Sequence, residues 1–326
     1  MFDLPLVSIV TPSYNQGQFL EATIRSVLDQ DYPNIEFIIM DGGSTDDSIT
    51  ILQRYADQIA HWESQPDRGQ AHAINKGLRV AKGSILGWLN SDDLLLPETV
   101  SQVVETFCDD PDTDVVYGRL ERIDEEGRLV PTPILPKDRV EFSKKYILSE
   151  CIVNQPGAFW RREMMAKAGL LNEGLHYVLD YEYWIRLALL GARFKHLDQV
   201  VALFRLSQAS KTVSQTTLHA LELLRVFEGV ASRPDLPEIL ELPENSIHRM
   251  VVYTRARICL QAFYGELKQN KRRASLGWLI QAIRNDPSSF VDRRWLDLGL
   301  ASLRRRLSRQ DILSRKSEGD RLEDKR

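Results

Sequence analysis

Short apolar runs alternate with helically spaced apolar positions through the first two-thirds of this chain. Leu6–Thr11 reads as a buried strand. Gln18–Asp29 then repeats apolar residues at helical spacing through Phe19, Ile24, Val27 and Leu28. A turn at Asp31–Asn34 leads to a second buried strand, Glu36–Met40, and Asp46 is placed to cap a helix through Ile49, Leu52 and Tyr55. Ile59–Glu63 predicts a third strand. Pro66–Gly69 opens a helix through Ala73, Ile74, Leu78 and Ala81, which Gly83 ends. Ser84–Leu89 is the most apolar strand of the series. Strands and helices at this spacing predict βαβ units and a mostly parallel central sheet flanked by helices.

The pattern then loosens. Pro97–Phe107 predicts a helix with proline at its first position, Asp114–Tyr117 and Leu120–Asp124 two strands, and Pro131, Pro133 and Pro136 a loop. Phe159–Trp160 and Val200–Arg205 read as further strands, with a helical run at Asp180–Leu190 between them. Beyond about residue 215 the chain reads as helices separated at Pro234–Pro243 and Asn270, with no fixed repeat. The expected division is therefore an α/β domain over 1–214 and a helical C-terminal region over 215–326, charged and frayed from Arg304.

Composition narrows the function classes. A net charge of -4 over 326 residues gives no footprint for nucleic acid. Cys108, Cys151 and Cys259 are far apart and lack metal-ligand spacing, which predicts free thiols in a reducing compartment. The N-terminus has no basic region or cleavage site of the secretory kind, and no apolar run is long enough to span a bilayer. Cytoplasmic residence is expected. GxxxxGK[ST], GxGxxG after the first strand, HExxH and GxSxG are all absent, which disfavours P-loop, dinucleotide, zincin and α/β-hydrolase chemistry.

Candidate chemistry gathers at strand ends. Asn90-Ser91-Asp92-Asp93 follows the central strand, where open α/β sheets bind ligands. Two adjacent carboxylates repel unless a cation or fixed donors lie between them, so an oxygen-ligated Mg²⁺ or Mn²⁺ site is one reading. A solvated turn is the other. Thr11-Pro12-Ser13-Tyr14-Asn15 offers hydroxyls, an aromatic face and backbone donors. Asp41 can accept from a base, and Gly42 and Gly43 allow close backbone approach, although the trio also makes a simple tight turn. Arg68-Gly69 can meet a base or phosphate, or stay in solvent.

Taken in order, three stretches carry a family resemblance: PLVSIVTPSYNQGQFLEATIRSVLDQDYPNIEFIIMDGGSTDDS, PDRGQAHAINKGLRVAKGSILGWLNSDD and NQPGAFWRREMMAKAGLLNEGLHYVLDYEYWIRL. From Leu4 to Lys211 the chain resembles glycosyltransferase family 2, the inverting nucleotide-sugar transferases of GT-A fold. The resemblance implies that Thr11, Pro12, Tyr14 and Asp41 hold the nucleoside and that Arg68 and Gly69 complete its pocket. The family's DxD-type motif falls on Asn90–Asp93, with Asn90 in place of the first acid. Asp92 and Asp93 are left for ribose and metal, and Asn90 can still accept a ribose hydroxyl. Asp180 matches the general base, though Leu179 stands where many relatives carry an acid; capping of its helix is the plainer role. Trp160 and His176 are read either as acceptor-side residues or as ordinary core and surface, and Trp88 as core.

The implied ligands are a UDP-, GDP- or dTDP-sugar, a divalent ion and a glycan or lipid-linked acceptor, in surface-polysaccharide assembly. A basic segment at Arg205, Ser210 and Lys211 matches one that closes over the diphosphate in relatives, or is a solvated basic loop. A second one, Arg304–Lys316, suggests peripheral contact with the inner face of a membrane, or a solvated helix end. Two rival functions remain open at this point. A sugar-phosphate nucleotidyltransferase usually needs a basic, Gly-rich loop after the first strand, which Thr11–Gly17 lacks. A non-catalytic scaffold would fit if Asn90 marked lost metal affinity.

Overall fold

The computed structural model describes residues 4–131, 142, 151–207 and 215–287. The chain forms two compact units, Met1–Pro243 and Glu244–Arg326. The first is built on a nine-stranded sheet. Four parallel strands make one half: β3 (His61–Ser64), β2 (Ile35–Asp41), β1 (Val7–Ser13) and β4 (Ile85–Trp88), in that order across the sheet. Next to β4 runs antiparallel β8 (Ala158–Arg161), then antiparallel to it β6 (Val115–Ile123), then β9 (Phe194–Arg205) and the short β5 (Leu94–Leu95). A small β7 (Leu129–Val130) pairs with β6. The first half matches the mostly parallel sheet expected from the sequence, and the second half is mixed, because β8 runs antiparallel to both its neighbours.

Period-two alternation divides the core. Val10, Ile38, Met40, Leu86, Trp88 and Trp160 face one cluster. It includes residues of α3 (Gln70–Val80), α5 (Arg162–Ala168) and α6 (Leu179–Leu189). Ile9, Phe37, Ile39, Ile85 and Phe159 face a second, with α1 (Gly17–Leu28), α2 (Ser48–Arg54) and α4 (Thr99–Asp109). Trp88 stacks on Trp184 at 5.5 Å between ring centroids, with Trp160 edge-on at 5.4 Å. Trp160 is fully buried, so it is core and does not line an open pocket.

Glycines allow the close contacts. A Cβ at Gly77 would sit 2.4 Å from Val10, so α3 lies tight on β1. Gly118 meets Val201 in the same way, and at this point β6 shifts register against β9. That irregularity explains why 114–117 and 120–124 look like two strands in the sequence. They are one bulged strand. Pro97 does not open α4, which starts two residues later after Glu98 in a left-handed conformation, φ 65°.

After β9 the first unit continues through α7 (Thr216–Ala231) and the short α8 (Leu236–Leu240). The described part of the second unit is a helix pair, α9 (Glu244–Lys268) and α10 (Arg272–Asn285), turned at Asn270 with φ 64°. Ser210, Lys211, most of the proline-rich stretch and the basic segment from Arg304 lie outside the described residues.

Candidate functional site

The parallel register brings Ser13, Asp41 and Ser64 level at the carboxyl ends of β1, β2 and β3. Asp41 is 1% exposed, and its own loop consumes its carboxylate. Oδ2 accepts from the N–H groups of Gly43 (3.1 Å) and Ser44 (2.8 Å) and from Ser64 Oγ (2.6 Å), while Oδ1 accepts from Ser44 Oγ (2.5 Å). Asp41 therefore shapes the loop through Oδ2, while Oδ1, with Ser44 Oγ as its partner, keeps capacity for a further donor.

The neighbouring loop is tied to it. Asn15, at φ 51°, donates its N–H to Ser44 Oγ and accepts from Thr45 N–H, each at 2.8 Å. Between the loops Gly42 packs closely against Asp67 and Tyr14, a cluster termed the Gly42 cradle. A Cβ on Gly42 would meet Asp67 Oδ2 at 2.7 Å and the Tyr14 ring at 3.3 Å. Tyr14 is 61% exposed. Thr11 Oγ1 and Ser13 Oγ at the end of β1 are buried without a protein partner. Pro12 lies between them in the strand.

Asp67 was not singled out by sequence reasoning. Its Oδ1 accepts the Gly69 N–H at 2.7 Å, which leaves Oδ2 for the cradle. Arg68 turns to Glu173 instead, at 2.5 Å, where Asn75 also donates. Gly69, at φ 111°, opens α3 with the His176 ring 3.6 Å from where its Cβ would stand.

A chain of carboxamides fixes the motif after β4. Gln70 Nε2 donates to Asn90 Oδ1 (2.8 Å), and Asn90 Nδ2 donates to Gln155 Oε1 (2.9 Å) and Asp93 Oδ2 (3.2 Å). Gln155 Nε2 donates to the Trp88 carbonyl (2.7 Å). Asp93 is completely buried, and its other oxygen takes the Arg205 N–H at 3.0 Å. Burial, reinforced by the charge of Asp92, holds the Asp93 carboxyl well above the usual carboxylate range. Asp93 thus faces inward with both oxygens occupied, away from the metal-ligand role expected of it. Asp92 is half-buried, and among the described residues its carboxylate is hydrogen-bonded by nothing beyond its own backbone N–H. Burial raises it too, with Arg205 opposing.

Arg205 is 5% exposed. Its Nε donates to the Asp92 carbonyl (2.9 Å), its Nη1 to the carbonyls of Asp124 and Glu125, and its guanidinium lies 4.6 Å over the Phe19 ring. It braces the motif from behind, so the diphosphate role expected for it does not match its position. From α1, Thr23 Oγ1 donates to the carbonyls of Ser91 and Asp93.

Asp180 occupies the first turn of α6, whose cap residue is Val178. Its Oδ1 accepts only the next N–H, that of Tyr181, at 2.8 Å. Desolvation pushes the Asp180 carboxyl above its ordinary value. Its charge reaches Cys151, which is exposed to solvent. Glu182 is committed elsewhere, in a fork with Arg186 (3.0 and 2.8 Å) that also holds the Ala168 and Leu170 carbonyls.

These contacts join the sites end to end. The turn before Asp180 meets Gly69 through His176, Gln70 reaches Asn90, and the segment from Cys151 to Gln155 runs from Asp180 to Asn90. Among the described residues no group of three His, Cys, Asp or Glu side chains is placed to hold a metal. Mg²⁺-type ions commonly need only one or two carboxylates plus substrate phosphates, and Asp92 with its unclaimed oxygens suits that mode.

The family described as glycosyl transferase family 2 matches residues 8–169. An uncharacterized glycosyltransferase of Rickettsia typhi is 31% identical over 238 residues, covering 70% of this chain and 71% of the relative. Other curated relatives are longer; the chain spans 37% of chondroitin synthase from Escherichia coli, at 28% identity. Among solved structures, residues 1–349 of S. aureus TarS in complex with UDP-GlcNAc superpose with TM-score 0.60 at 15% identity, over 87% of this chain and 92% of that one. The mannosyltransferase PcManGT of Pyrobaculum calidifontis, in complex with GDP-Man and Mn²⁺, gives 0.59 at 19% identity, over 93% and 87%. Both show the same GT-A fold.

Proposed function

Because the chain belongs to glycosyltransferase family 2, we propose that it transfers a sugar from a nucleoside-diphosphate sugar to an acceptor hydroxyl, inverting the anomeric centre. The observation that carries this reading is that Asp41 and the Asn90–Asp93 motif lie at the carboxyl ends of the parallel strands on either side of β1, with Gln70 tying Asn90 to the start of α3, where His176 of the turn before Asp180 stands beside Gly69. The cradle of Tyr14, Gly42 and Asp67 takes the nucleoside, with Asp41 holding its loop and Thr11 Oγ1 available to it. Asn90 and Asp92 face the ribose and diphosphate. Asp92 would hold a divalent ion, which when bound supplies positive charge against the departing diphosphate.

Asp180 takes the proton from the acceptor hydroxyl. The freed oxygen lone pair forms a bond to the anomeric carbon as the bond to the diphosphate oxygen breaks, and the nucleoside diphosphate leaves with that electron pair. One base and one displacement suffice. Relatives such as chondroitin synthase support an acceptor that is a growing glycan, in surface-polysaccharide assembly.

A thermal-shift panel of UDP-, GDP- and dTDP-sugars with and without Mn²⁺ tests the reading. A ligand at 100 times its Kd stabilises by about 2.7 kcal/mol, a rise of several degrees. One donor class is expected to give that rise, more strongly with Mn²⁺. No rise with any of them would end the proposal.

Contact with an anionic lipid surface belongs to the same reading. No described helix is long and apolar enough to cross a membrane. Helix α10 nevertheless exposes Leu276, Ile280 and Ile283 at helical spacing, flanked by exposed Arg272, Arg273 and Arg284 and carrying no acid. Flotation with phosphatidylserine vesicles is expected to bring the protein up, and Ile280→Ser to weaken it. Equal behaviour on neutral and anionic vesicles would refute the contact.

A further inference from the structure

The turn that carries Asp180 lies beyond the family match, and so does the residue that holds it. A helix start leaves its first N–H groups without partners. At α6 the cap residue Val178 offers no side-chain acceptor, and within the first turn Asp180 takes only the Tyr181 N–H. Three consecutive N–H groups ahead of the helix converge instead on one carboxylate from α7. His176 N–H donates to Glu222 Oε1 at 2.8 Å, and Tyr177 and Val178 N–H donate to Oε2 at 2.6 and 3.0 Å. The Tyr177 hydroxyl also bonds the side chain of Gln215, one residue before α7 begins. Two contacts therefore staple this turn to the same helix, 44 to 46 residues away for the Glu222 bonds.

We propose that Glu222 is a positioning residue for transfer: from α7 it gathers the N–H groups of residues 176–178 and fixes the turn from which Asp180 meets the acceptor. The proposal rests on the reading of Asp180 as the base. A carboxylate at a helix N-terminus is favourable on charge grounds as well as through its hydrogen bonds. Three N–H donors on one anion define the turn's direction more tightly than one neutral cap can. His176, whose N–H is the first of the three, is also the residue that abuts Gly69, so the same anchor sets how the base-bearing turn meets the nucleoside side of the crevice. Helix α7 thereby has a task in the reaction, although no part of it lies within residues 8–169.

Glu222→Ala and Glu222→Gln, in the full chain, test this. In Glu222→Ala, amide hydrogen exchange across residues 176–180 is expected to accelerate, while peptides containing Asp41 and Asn90–Asp93 stay as in the wild type. Release of nucleoside diphosphate from UDP-GlcNAc or GDP-mannose is expected to fall between about 10- and 100-fold in kcat, the scale of a misplaced catalytic group, with nucleotide affinity unchanged. Glu222→Gln, which keeps one acceptor oxygen, should recover part of both. Unchanged exchange at 176–180, or faster exchange with undiminished kcat, overturns the proposal. So does a loss that appears only as a lower melting temperature. Asp180→Asn run alongside separates the two claims: if it is inactive while the Glu222 variants turn over normally, only the positioning role fails. If Asp180→Asn is active, or the wild type releases nucleoside diphosphate from none of the UDP-, GDP- and dTDP-sugars, the underlying reading fails and this one with it.

Discussion

Asp180→Asn is expected to lower transfer by roughly 10²- to 10⁴-fold, the usual contribution of a general base. The protein should remain folded. Asp180 makes one hydrogen bond, to the following N–H, and an asparagine oxygen can accept it equally well. Stability should even rise at neutral pH. Desolvation raises the carboxyl's pKa in the folded state, so the folded protein binds this proton more tightly than the unfolded chain. Its stabilising contribution is complete below the unfolded value, about 3.9, and is lost as pH rises through the folded value. Asparagine removes that loss. The same shift places the acid limb of the pH–rate profile above the ordinary carboxylate range, with activity falling as pH drops through it. Initial rates across pH and a melting curve check both statements, and near-normal turnover in Asp180→Asn would remove the base assignment.

Asp92 and Asp93 should part company on substitution. Asp92→Asn is expected to leave the melting temperature close to the wild type and to reduce metal-dependent transfer by on the order of 10³-fold. That loss corresponds to the several kcal/mol a bound cation supplies. Asp93→Ala strips partners from the Arg205 N–H and the Asn90 amide in a fully buried place. An unsatisfied buried group costs about 1–3 kcal/mol, and each kcal/mol lowers the melting temperature by about 2–4 °C at this size. Asp93→Ala should therefore melt several degrees early. Calorimetry of Mn²⁺-dependent nucleotide binding beside melting curves decides it. An Asp93→Ala protein of normal stability that no longer binds Mn²⁺ with nucleotide would reverse the two roles.

The parallel half of the sheet was legible because its strands are buried on both faces and end in turn-forming, chemistry-bearing loops. The motifs at 11–15, 41–43 and 90–93 fall at those strand ends in the structure, in the order expected. What the sequence hid depends on partners far along the chain. Asp93 looks like a free ligand in a linear string, and only Arg205 reveals that its carboxylate is turned inward. Arg205 looks like a basic loop residue until its guanidinium is found against Asp92, Asp124 and Phe19. Asp67 lay inside a quoted motif, but its orientation comes from the Gly69 N–H. Glu222 sits in an ordinary amphipathic helix, and no local spacing marks it. Strand β8 was visible as two aromatic residues, yet its antiparallel direction is a property of the sheet alone.

The amide relay around Asn90 makes an acid at this position hard to accommodate. An aspartate at this position would turn an acceptor oxygen toward Gln155 Oε1 and toward buried Asp93, each of which now receives an N–H from it. Gln155 is not free to swing round, because its own amide is engaged by the Trp88 carbonyl. That single substitution sets three oxygens against one another. An acidic residue at 90 would therefore need companion changes at 93 or 155 to restore a donor between these oxygens.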